Sequence, residues 1–279
     1  MIHQTRRFYI PAFLAILLVC ALSALWKAPE LRPPLSTDKL AGCPGIVLWA
    51  WERPEDLQYL DPNRAGVAFL ACTVHMRGVD VIPRPRLQPL KLPPAAYRIA
   101  VVRIESDRLS PPALSSRQLK AVSRAIIEVA RSPFVRAVQV DFDAKQGERK
   151  FYRALLYDIH RQLPPAVGLS LTALASWCTG DCWLAGLPVD EVVPMLFRMG
   201  ADREHVLVQL QSGRGFAPTP GLVAVGVATD EPETGEALAS SSTGILDRIR
   251  RIYVFSPKRW SAEAVTATLA EVQQWQQRL

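Results

Sequence analysis

The segment VRAVQVDFDA, residues 135–144, predicts a buried strand that ends in two aspartates. Side chains of a strand alternate between its two faces. One face is apolar and carries Val138, Val140 and Phe142. The other face is polar and carries Gln139, Asp141 and Asp143. A carboxylate buried against an apolar helix layer would cost a large free energy, so the polar face must turn toward a different environment.

Further strand-like segments accompany this one along the chain. Together they span residues 45–52, 66–74, 97–106, 135–143, 167–174, 191–199, 221–230 and 251–257. Amphipathic helix-like segments separate many of them, at residues 115–132, 147–165 and 261–279, with shorter candidates at 53–60 and 201–211. Residues 77–96 contain five prolines, which excludes a regular helix there.

This alternation predicts an α/β fold with a parallel sheet and helices outside it. Eight strands close a (β/α)8 TIM barrel, and about 250 residues is the usual size of that fold. The alternative is an open, doubly wound sheet. Residues 49–56, WAWERPED, contain no glycine where a phosphate-binding loop would follow the first strand, and this disfavours the alternative.

The expected barrel predicts where the polar face of residues 135–144 lies. That face would line the interior near the carboxyl-terminal mouth, where catalytic residues of such barrels lie. The neighbouring strand carries Arg103 and Glu105 on one face, and we expect both to point inward as well. Arg103 is then the expected partner of Asp141. This pair would either satisfy two buried charges or lower the pKa of the acid.

Aromatic and charged residues follow several other predicted strands. The candidates for ligand contact are Trp49, Trp51, Trp177, Trp183, Arg103, Arg198, Asp230 and Glu231. Tryptophan rings stack on sugar rings and carboxylates bind hydroxyl groups, so this rim predicts a carbohydrate cleft. Trp177 and Trp183 lie in a predicted loop, which favours ligand contact. For Trp49 and Trp51, the alternative is packing beneath the helices.

The N-terminus carries a predicted targeting segment. Arg6 and Arg7 precede residues 8–26, which hold no charge and are long enough to span a bilayer. Basic residues before the segment predict that the rest of the chain is exported. An uncleaved anchor is our first interpretation, and a signal peptide cleaved near ALS, residues 21–23, is the alternative.

The chain therefore divides into three predicted regions. Residues 1–26 form the signal anchor or signal peptide, residues 27–44 a proline-rich linker, and residues 45–279 the barrel domain. We expect the barrel on the periplasmic or extracellular face of a bacterial inner membrane, or secreted if the first region is cleaved.

Composition restricts the partners and the redox chemistry. The net charge is +7, but no basic stripe with interleaved aromatic residues is present, so we expect no nucleic-acid partner. We also expect a monomer. The charge is compatible with an anionic substrate or a membrane surface. Cys178 and Cys182 lie in a turn-rich stretch and would form either a disulfide in an oxidising compartment or a free pair, whereas a zinc site lacks further ligands at suitable spacing.

The sequence predicts no cofactor. A nucleotide-, flavin- or haem-binding pattern is absent, and so is the Gly-x-Ser-x-Gly sequence of an α/β-hydrolase nucleophile. A hard cation would accept carboxylate ligands such as Asp141, Asp143 and Glu105. Arg103 would compete for the same oxygens, so we predict no metal.

Four segments of the chain resemble a family of uncharacterised bacterial proteins defined only as a domain of unknown function. They are VQVDFDA (138–144), LSLTALASWC (169–178), LPVDEVVPMLFRMG (187–200) and VGVATDEP (225–232). The resemblance covers most of residues 45–260. It implies a TIM barrel of the glycoside-hydrolase kind and assigns no catalytic residue.

The DFD sequence also resembles the aspartate-rich fourth strand of chitinase-like barrels. There the motif ends in a glutamate that acts as the acid. Here that position is Ala144, followed by Lys145, which disfavours substrate-assisted chemistry of the chitinase type.

Two functional hypotheses follow. In the first, the chain is a glycoside hydrolase in which Asp143 and Glu105 are the catalytic carboxyl pair, Asp141 orients or tunes them, and Asp230 or Glu231 is the reserve. In the second, the barrel binds a carbohydrate or another envelope component without catalysis. A structural role in an ion pair with Arg103 is the alternative for Asp141 alone.

Overall fold

The computed structural model describes residues 39–180, 182–212, 215–217, 219, 221–239 and 248–277. The chain divides into one unit over Met1–Thr37 and another over Asp38–Leu279. The predicted anchor and most of the predicted linker lie outside the described residues. Within the described residues, no helix is both long enough and apolar enough to cross a membrane.

The strands alternate with helices along the chain. In chain order the strands are β1 (Ile46–Ala50), β2 (Glu55–Asp56), β3 (Gly66–Arg77), β4 (Asp80–Pro85), β5 (Leu90–Lys91), β6 (Arg98–Ser106), β7 (Ala137–Asp141), β8 (Gly168–Leu174), β9 (Glu191–Met195), β10 (Ala224–Ala228) and β11 (Arg251–Phe255). The helices are α1 (Ser116–Ala130), α2 (Arg149–Gln162), α3 (Ala175–Cys178), α4 (Arg203–Gln211), α5 (Pro232–Ala239) and α6 (Ala262–Gln277).

The main sheet is a closed barrel. Its order is β1-β11-β10-β9-β8-β7-β6-β3, and an additional pairing of β1 with β3 closes the ring. All of these neighbours are parallel. The described part of the chain therefore has the eight parallel strands of a (β/α)8 barrel, at the predicted places, and the fold prediction is confirmed.

The proline-rich segment after β3 folds back instead of forming a helix. Strand β4 pairs antiparallel with the second half of β3 and lies at the free edge of the sheet. Its residues are mostly exposed and include Pro83 and Pro85. The predicted short helix at residues 53–60 is wrong. There the backbone amide of Glu55 donates to Pro89 and that of Leu57 donates to Lys91, which joins β2 to β5.

Helix boundaries follow local capping. Helix α1 begins after Ser115, whose hydroxyl accepts a hydrogen bond from the amide of Gln118 at 3.2 Å. The side chain of Gln118 accepts in return from the amide of Ser115, which completes a capping box. Helix α2 ends at Gln162, just before Leu163 and Pro164. The prediction over residues 115–132 and 147–165 thus missed the boundaries by only a few residues.

Two apolar cores follow from the alternation of side chains along each strand. The outer core lies between barrel and helices and includes Leu48, Val138, Val140, Phe142 and Leu169. The inner core fills the barrel and includes Val47, Trp49, Leu70, Val101 and Tyr253. Val138, Val140 and Phe142 therefore face the helices as predicted, and the polar face of β7 lines the interior.

The amino-terminal end of the barrel interior is closed by a buried ion pair. The Arg251 guanidinium contacts Glu191 at 2.5 Å, and both residues are almost fully buried. The Tyr253 hydroxyl donates to the same carboxylate at 2.6 Å. Leu40 covers this end and is fully buried. Since Leu40 packs inside the barrel, the packed unit begins within the region predicted as linker.

A row of hydrogen bonds crosses the interior above this ion pair. The Trp49 indole donates to Gln139 at 2.9 Å, and the Gln139 amide donates to Ser170 at 3.1 Å. The Ser170 hydroxyl in turn donates to Glu191 at 3.1 Å. These buried polar groups are therefore satisfied by one another, and the row fixes the ring of Trp49 across the barrel.

Candidate active site

The carboxyl-terminal mouth of the barrel holds a cavity of about 230 Å³, which we call the mouth cavity. Ends of six barrel strands and the residues that follow them supply its wall. The lining consists of Trp49, Trp51, Arg103, Asp141, Asp143, Thr172, Leu174, Met195, Phe197, Arg198 and Phe255. One side is thus aromatic and apolar, and the other carries the two aspartates of the DFD sequence.

Asp141 is a buried carboxyl group at the end of β7. It is 8% exposed and accepts a hydrogen bond from the Thr172 hydroxyl at 2.7 Å. Burial raises its pKa to about 6, and the nearby charge of Asp143 acts in the same direction. The Thr172 hydrogen bond and the charge of Arg103 oppose this rise. Asp141 therefore holds a proton in mildly acidic conditions, unlike an ordinary aspartate.

The predicted ion pair between Arg103 and Asp141 is wrong. The two residues are opposite one another in the β6–β7 register, as the barrel predicts. The Arg103 guanidinium nevertheless pairs with Glu105 on its own strand, at 2.9 Å. Residues two apart on a strand share a face, so Glu105 competes directly for this guanidinium.

Asp143 lies two residues beyond β7, at the edge of the mouth. Its side chain is exposed, in contrast to that of Asp141. The walls of the mouth still remove part of its solvent and raise its pKa, while the charge of Arg103 lowers it. Asp143 is therefore the more accessible of the two acids.

Glu105 lies beside the mouth cavity, in an adjoining groove of about 320 Å³. The groove is lined by Arg103, Ile104, Glu105, Ser106, Arg108, Asp141, Phe142, Asp143, Lys145 and Glu148. Arg103, Asp141 and Asp143 line both spaces and form the ridge between them. The structure thus brings the three predicted catalytic carboxyl groups to one place.

A bulge in β3 adds a histidine that the sequence did not assign to the site. The pairing of β3 with β6 shifts between Leu70 and Cys72. Beyond this bulge the odd-numbered residues turn inward, and His75 becomes the register partner of Glu105. Its Nδ1 lies 3.1 Å from Glu105 Oε2. Glu105 is therefore held between His75 and Arg103.

The aromatic wall contains two residues that the sequence interpretation missed. Phe197 and Phe255 stack with centroids 5.4 Å apart and planes 4° from parallel. Trp51 meets Phe255 edge to face at 6.2 Å. Phe197 and Phe255 continue the inward alternation of β9 and β11, so the argument applied to residues 135–144 would have found both.

Trp49 and Trp51 face the interior, so packing beneath the helices is wrong for both. Trp49 is 2% exposed and forms part of the floor of the mouth cavity. Trp51 is half-buried, and the Arg103 guanidinium lies 5.7 Å from the centre of its ring. Trp51 therefore offers more surface to a ligand than Trp49 does.

Trp177 and Trp183 lie elsewhere. Trp177 belongs to α3 and is 3% exposed, in the outer core. It meets Trp183 edge to face at 4.9 Å, and Trp183 packs on Tyr152 at 5.8 Å. Neither tryptophan lines the mouth cavity. Helix α3 and a following 3-10 turn, Cys182–Leu184, stand where a loop was predicted. The first carries Trp177 and the second Trp183, and both rings pack in the layer between barrel and helices.

Arg198, Asp230 and Glu231 form one cluster at the rim. Arg198 lines the mouth cavity and has a left-handed backbone, with φ of 54°. Its guanidinium contacts Asp230 at 2.5 Å and also pairs with Glu231. These hydrogen bonds raise the pKa of Arg198. The two acids hold the arginine at the rim, and Arg198 is the member that reaches the cavity.

Cys178 is a free, buried thiol in the structure, so the disulfide considered with Cys182 is not formed. Burial raises the pKa of this thiol to about 12, which leaves it unreactive. The side chain of Cys182 lies outside the described residues. Across the described ranges, no group of three or more His, Cys, Asp or Glu residues is arranged to hold a metal ion.

Two solved structures of other proteins are similar to this chain. A protein from Streptomyces coelicolor proposed to be chitinase A matches with a TM-score of 0.56 and 13% identity, over 85% of this chain and 99% of that chain. The Bacillus cereus spore cortex-lytic enzyme SleL matches with a TM-score of 0.42 and 13% identity, over 76% of this chain and 51% of that chain. No family model and no curated protein matches. The first likeness shows a shared (β/α)8 barrel fold, and the resemblance to a domain of unknown function stays a prediction.

Proposed function

We propose that this protein is a carbohydrate-active barrel that hydrolyses glycosidic bonds. The observation that carries the proposal is the ridge at the mouth. There Asp143 and the high-pKa Asp141 stand between an aromatic cavity and a polar groove. A sugar ring stacked on Trp51 in the cavity, joined to a second sugar in the groove, would place its glycosidic oxygen beside Asp143.

The carboxyl groups take different roles because their surroundings differ. Asp143 is exposed with a raised pKa, which suits a general acid that protonates the leaving oxygen. Glu105 lines the same groove and supplies the second carboxylate, as base or nucleophile. Asp141 shares the ridge, and its pKa is raised by burial and by the charge of Asp143, so it would hold a proton beside the acid. Arg103 and Arg198 position hydroxyl groups of the substrate.

A second candidate function is carbohydrate binding without catalysis. The observation in its favour is the engagement of Glu105 with both Arg103 and His75, which leaves this carboxylate less free to act on a substrate. The aromatic wall and the ridge would serve a bound sugar equally well. The same cavity therefore supports either function, and only turnover distinguishes them.

The first experiment measures binding and reducing-end release together. The full chain in non-ionic detergent is screened against bacterial and plant polysaccharides beside Asp143→Asn, Glu105→Gln and a control, Asp61→Asn, which is exposed and far from the mouth. Release that disappears in Asp143→Asn and Glu105→Gln, with binding kept, supports the hydrolase. Binding without release in every protein supports the second function. Neither binding nor release across the panel would contradict both.

The location of the barrel is a separate part of the proposal. We infer from residues 8–26 that it is exported and tethered to the inner membrane. Fusion of alkaline phosphatase to the C-terminus tests this, since the reporter is active only after export. An inactive fusion that is made in full would overturn the inference.

A further inference from the structure

A second cavity, of about 580 Å³, lies at the amino-terminal ends of the barrel strands, opposite the mouth. We call it the lower cavity. Segments that precede β1, β3, β6, β7 and β8 form its walls. Its charged lining residues are Lys39, Arg98 and Arg136, and none of the described residues that line it is acidic. The lower cavity is therefore basic, unlike the mouth cavity.

The positive charges of the lower cavity are poorly neutralised by the protein. Arg136 has an exposed side chain that makes no ion pair with any described residue, although its backbone amide donates to Arg98. Lys39 reaches Asp190 only at 3.9 Å. Arg98 donates from one terminal nitrogen to Pro93 at 3.1 Å. Among the described residues, three cations thus face one space with a single weak counter-charge, Asp190.

The Arg98 guanidinium contains a buried donor that is unsatisfied among the described residues. Its Nε atom is buried and has no partner among the described residues. A buried donor left in this state costs free energy, and the cost is higher for a charged group. The guanidinium also lies over the ring of Phe134, 5.1 Å from its centre, which fixes its plane. Barrel stability alone does not explain such an arrangement, since it opposes folding.

A phosphate group would satisfy this cavity. Guanidinium groups bind phosphate oxygens with two parallel hydrogen bonds, and a lysine adds a point charge. Phe134 is 63% exposed beside the arginines and offers an apolar surface to whatever carries the phosphate. Pro94 and Pro133 extend that surface along the lining.

We propose that the lower cavity is a binding site for a phosphate group, carried by a soluble phosphate ester or by a phospholipid headgroup. Lys39, in its wall, belongs to the predicted linker, residues 27–44, which follows the predicted apolar segment 8–26. The chain thus enters the barrel at the face that holds this cavity. The site is separate from the mouth and does not depend on the sugar chemistry proposed there.

The test is calorimetric titration of the full chain in non-ionic detergent, in a buffer free of phosphate. The probes are inorganic phosphate, glycerol 3-phosphate and dihexanoyl phosphatidylglycerol. Arg136→Gln is the main variant, because its side chain is exposed and its loss should not disturb the fold. Arg98→Gln is the second variant. Arg124→Gln is the control, since Arg124 is an exposed arginine of α1 outside the lower cavity and its loss changes the net charge equally.

We expect at least one probe to bind the unaltered chain, and Arg136→Gln to weaken that binding about tenfold while Arg124→Gln leaves it unchanged. Binding of all three probes with similar strength would identify a soluble phosphate as the source. Arginine-dependent binding of the lipid probe alone would identify a headgroup. The proposal is overturned if no probe binds, or if Arg136→Gln and Arg98→Gln both bind as tightly as the control.

Discussion

Buried carboxyl groups occur at both ends of the barrel interior, and their surroundings differ. At the amino-terminal end, Glu191 meets Arg251, Tyr253 and Ser170, so its charge is neutralised and its oxygens are satisfied. At the mouth, Asp141 accepts a hydrogen bond from Thr172 and makes no ion pair with a described residue. A buried charge with a purely structural role needs a counter-ion. An acid with a raised pKa beside a cavity is an arrangement that is common at catalytic sites.

The largest expected change in stability comes from removing the counter-ion of Glu191. Arg251→Met leaves Glu191 buried without its counter-ion, and we expect a loss of about 3–5 kcal/mol in the free energy of unfolding. Urea denaturation of both proteins measures it. The control is Arg131→Met, which removes an exposed ion pair with Glu128 and should change stability little. Equal effects of the two substitutions would show that the buried pair is not what closes this end.

Asp141, unlike Glu191, should make the stability of the protein depend on pH. The pKa of Asp141 is about 6 in the folded protein and about 3.9 in an unfolded chain, so the folded state holds this proton more tightly. Its contribution to the free energy of unfolding is complete below about pH 4. This contribution, about 3 kcal/mol in all, is lost as the pH rises through about 6.

Asp141→Asn should remove that loss, because asparagine keeps an acceptor for Thr172 and does not ionise. Relative to the unaltered protein, it should gain stability between pH 4 and pH 7 in urea titrations. Asp61→Asn, with an exposed side chain at the other end of the barrel, serves as the control. If the variant and the unaltered protein keep a constant difference across this range, Asp141 does not titrate as described.

The next largest expected change in stability comes from packing in the middle of the barrel interior. A Cβ at Gly226 would lie 2.7 Å from Cη2 of Trp49, the ring that separates the mouth from the row of hydrogen bonds beneath it. Gly226→Ala should therefore cost about 1–3 kcal/mol by overpacking. Thermal unfolding measures it beside Gly147→Ala, where a Cβ meets nothing within 4 Å. A Gly226→Ala variant as stable as this control would mean that Trp49 shifts freely.

The smallest expected effect concerns the ligand. Trp51→Ala removes an aromatic face from the mouth cavity, and we expect sugar binding to weaken by about 1 kcal/mol, or roughly fivefold. Trp183→Ala is the matched control, because this tryptophan does not line that cavity. Affinity electrophoresis in a polysaccharide that the screen identifies gives both values. If Trp183→Ala weakened sugar binding more than Trp51→Ala, the sugar would bind near Trp183 and not in the mouth cavity.

The barrel could be predicted because the sequence of each strand shows its own pattern of apolar and polar residues. Residues 135–144 alternate apolar and polar side chains, and the structure turns these faces outward and inward as expected. The position of Asp141 and Asp143 at the mouth followed from that alternation together with the expected barrel, whose catalytic residues lie at its carboxyl-terminal mouth. The alternation within strands and the number of strands thus predicted most of the fold and the place of the candidate site.

The ion-pair partner of each charged residue could not be predicted in the same way. Arg103 has Asp141 opposite it and Glu105 two residues along its own strand, and sequence pattern does not weigh one carboxylate against the other. The bulge in β3 reverses the inward set of residues, which only pairing with β6 reveals. Glu191 likewise begins a strand and showed no sign of its partner, Arg251, 60 residues later.

The hairpin of β3 and β4 has a consequence for the behaviour of many copies of the protein together. A closed barrel has no free strand edge, and β4 adds one to it. That edge carries Pro83 and Pro85, which have no amide hydrogen to donate, with the charged Arg84 between them. Two of the donors that a strand from another copy would need are therefore missing, which disfavours extension of the sheet there. We expect the protein to stay dispersed at high local density, where an unguarded edge would start aggregation.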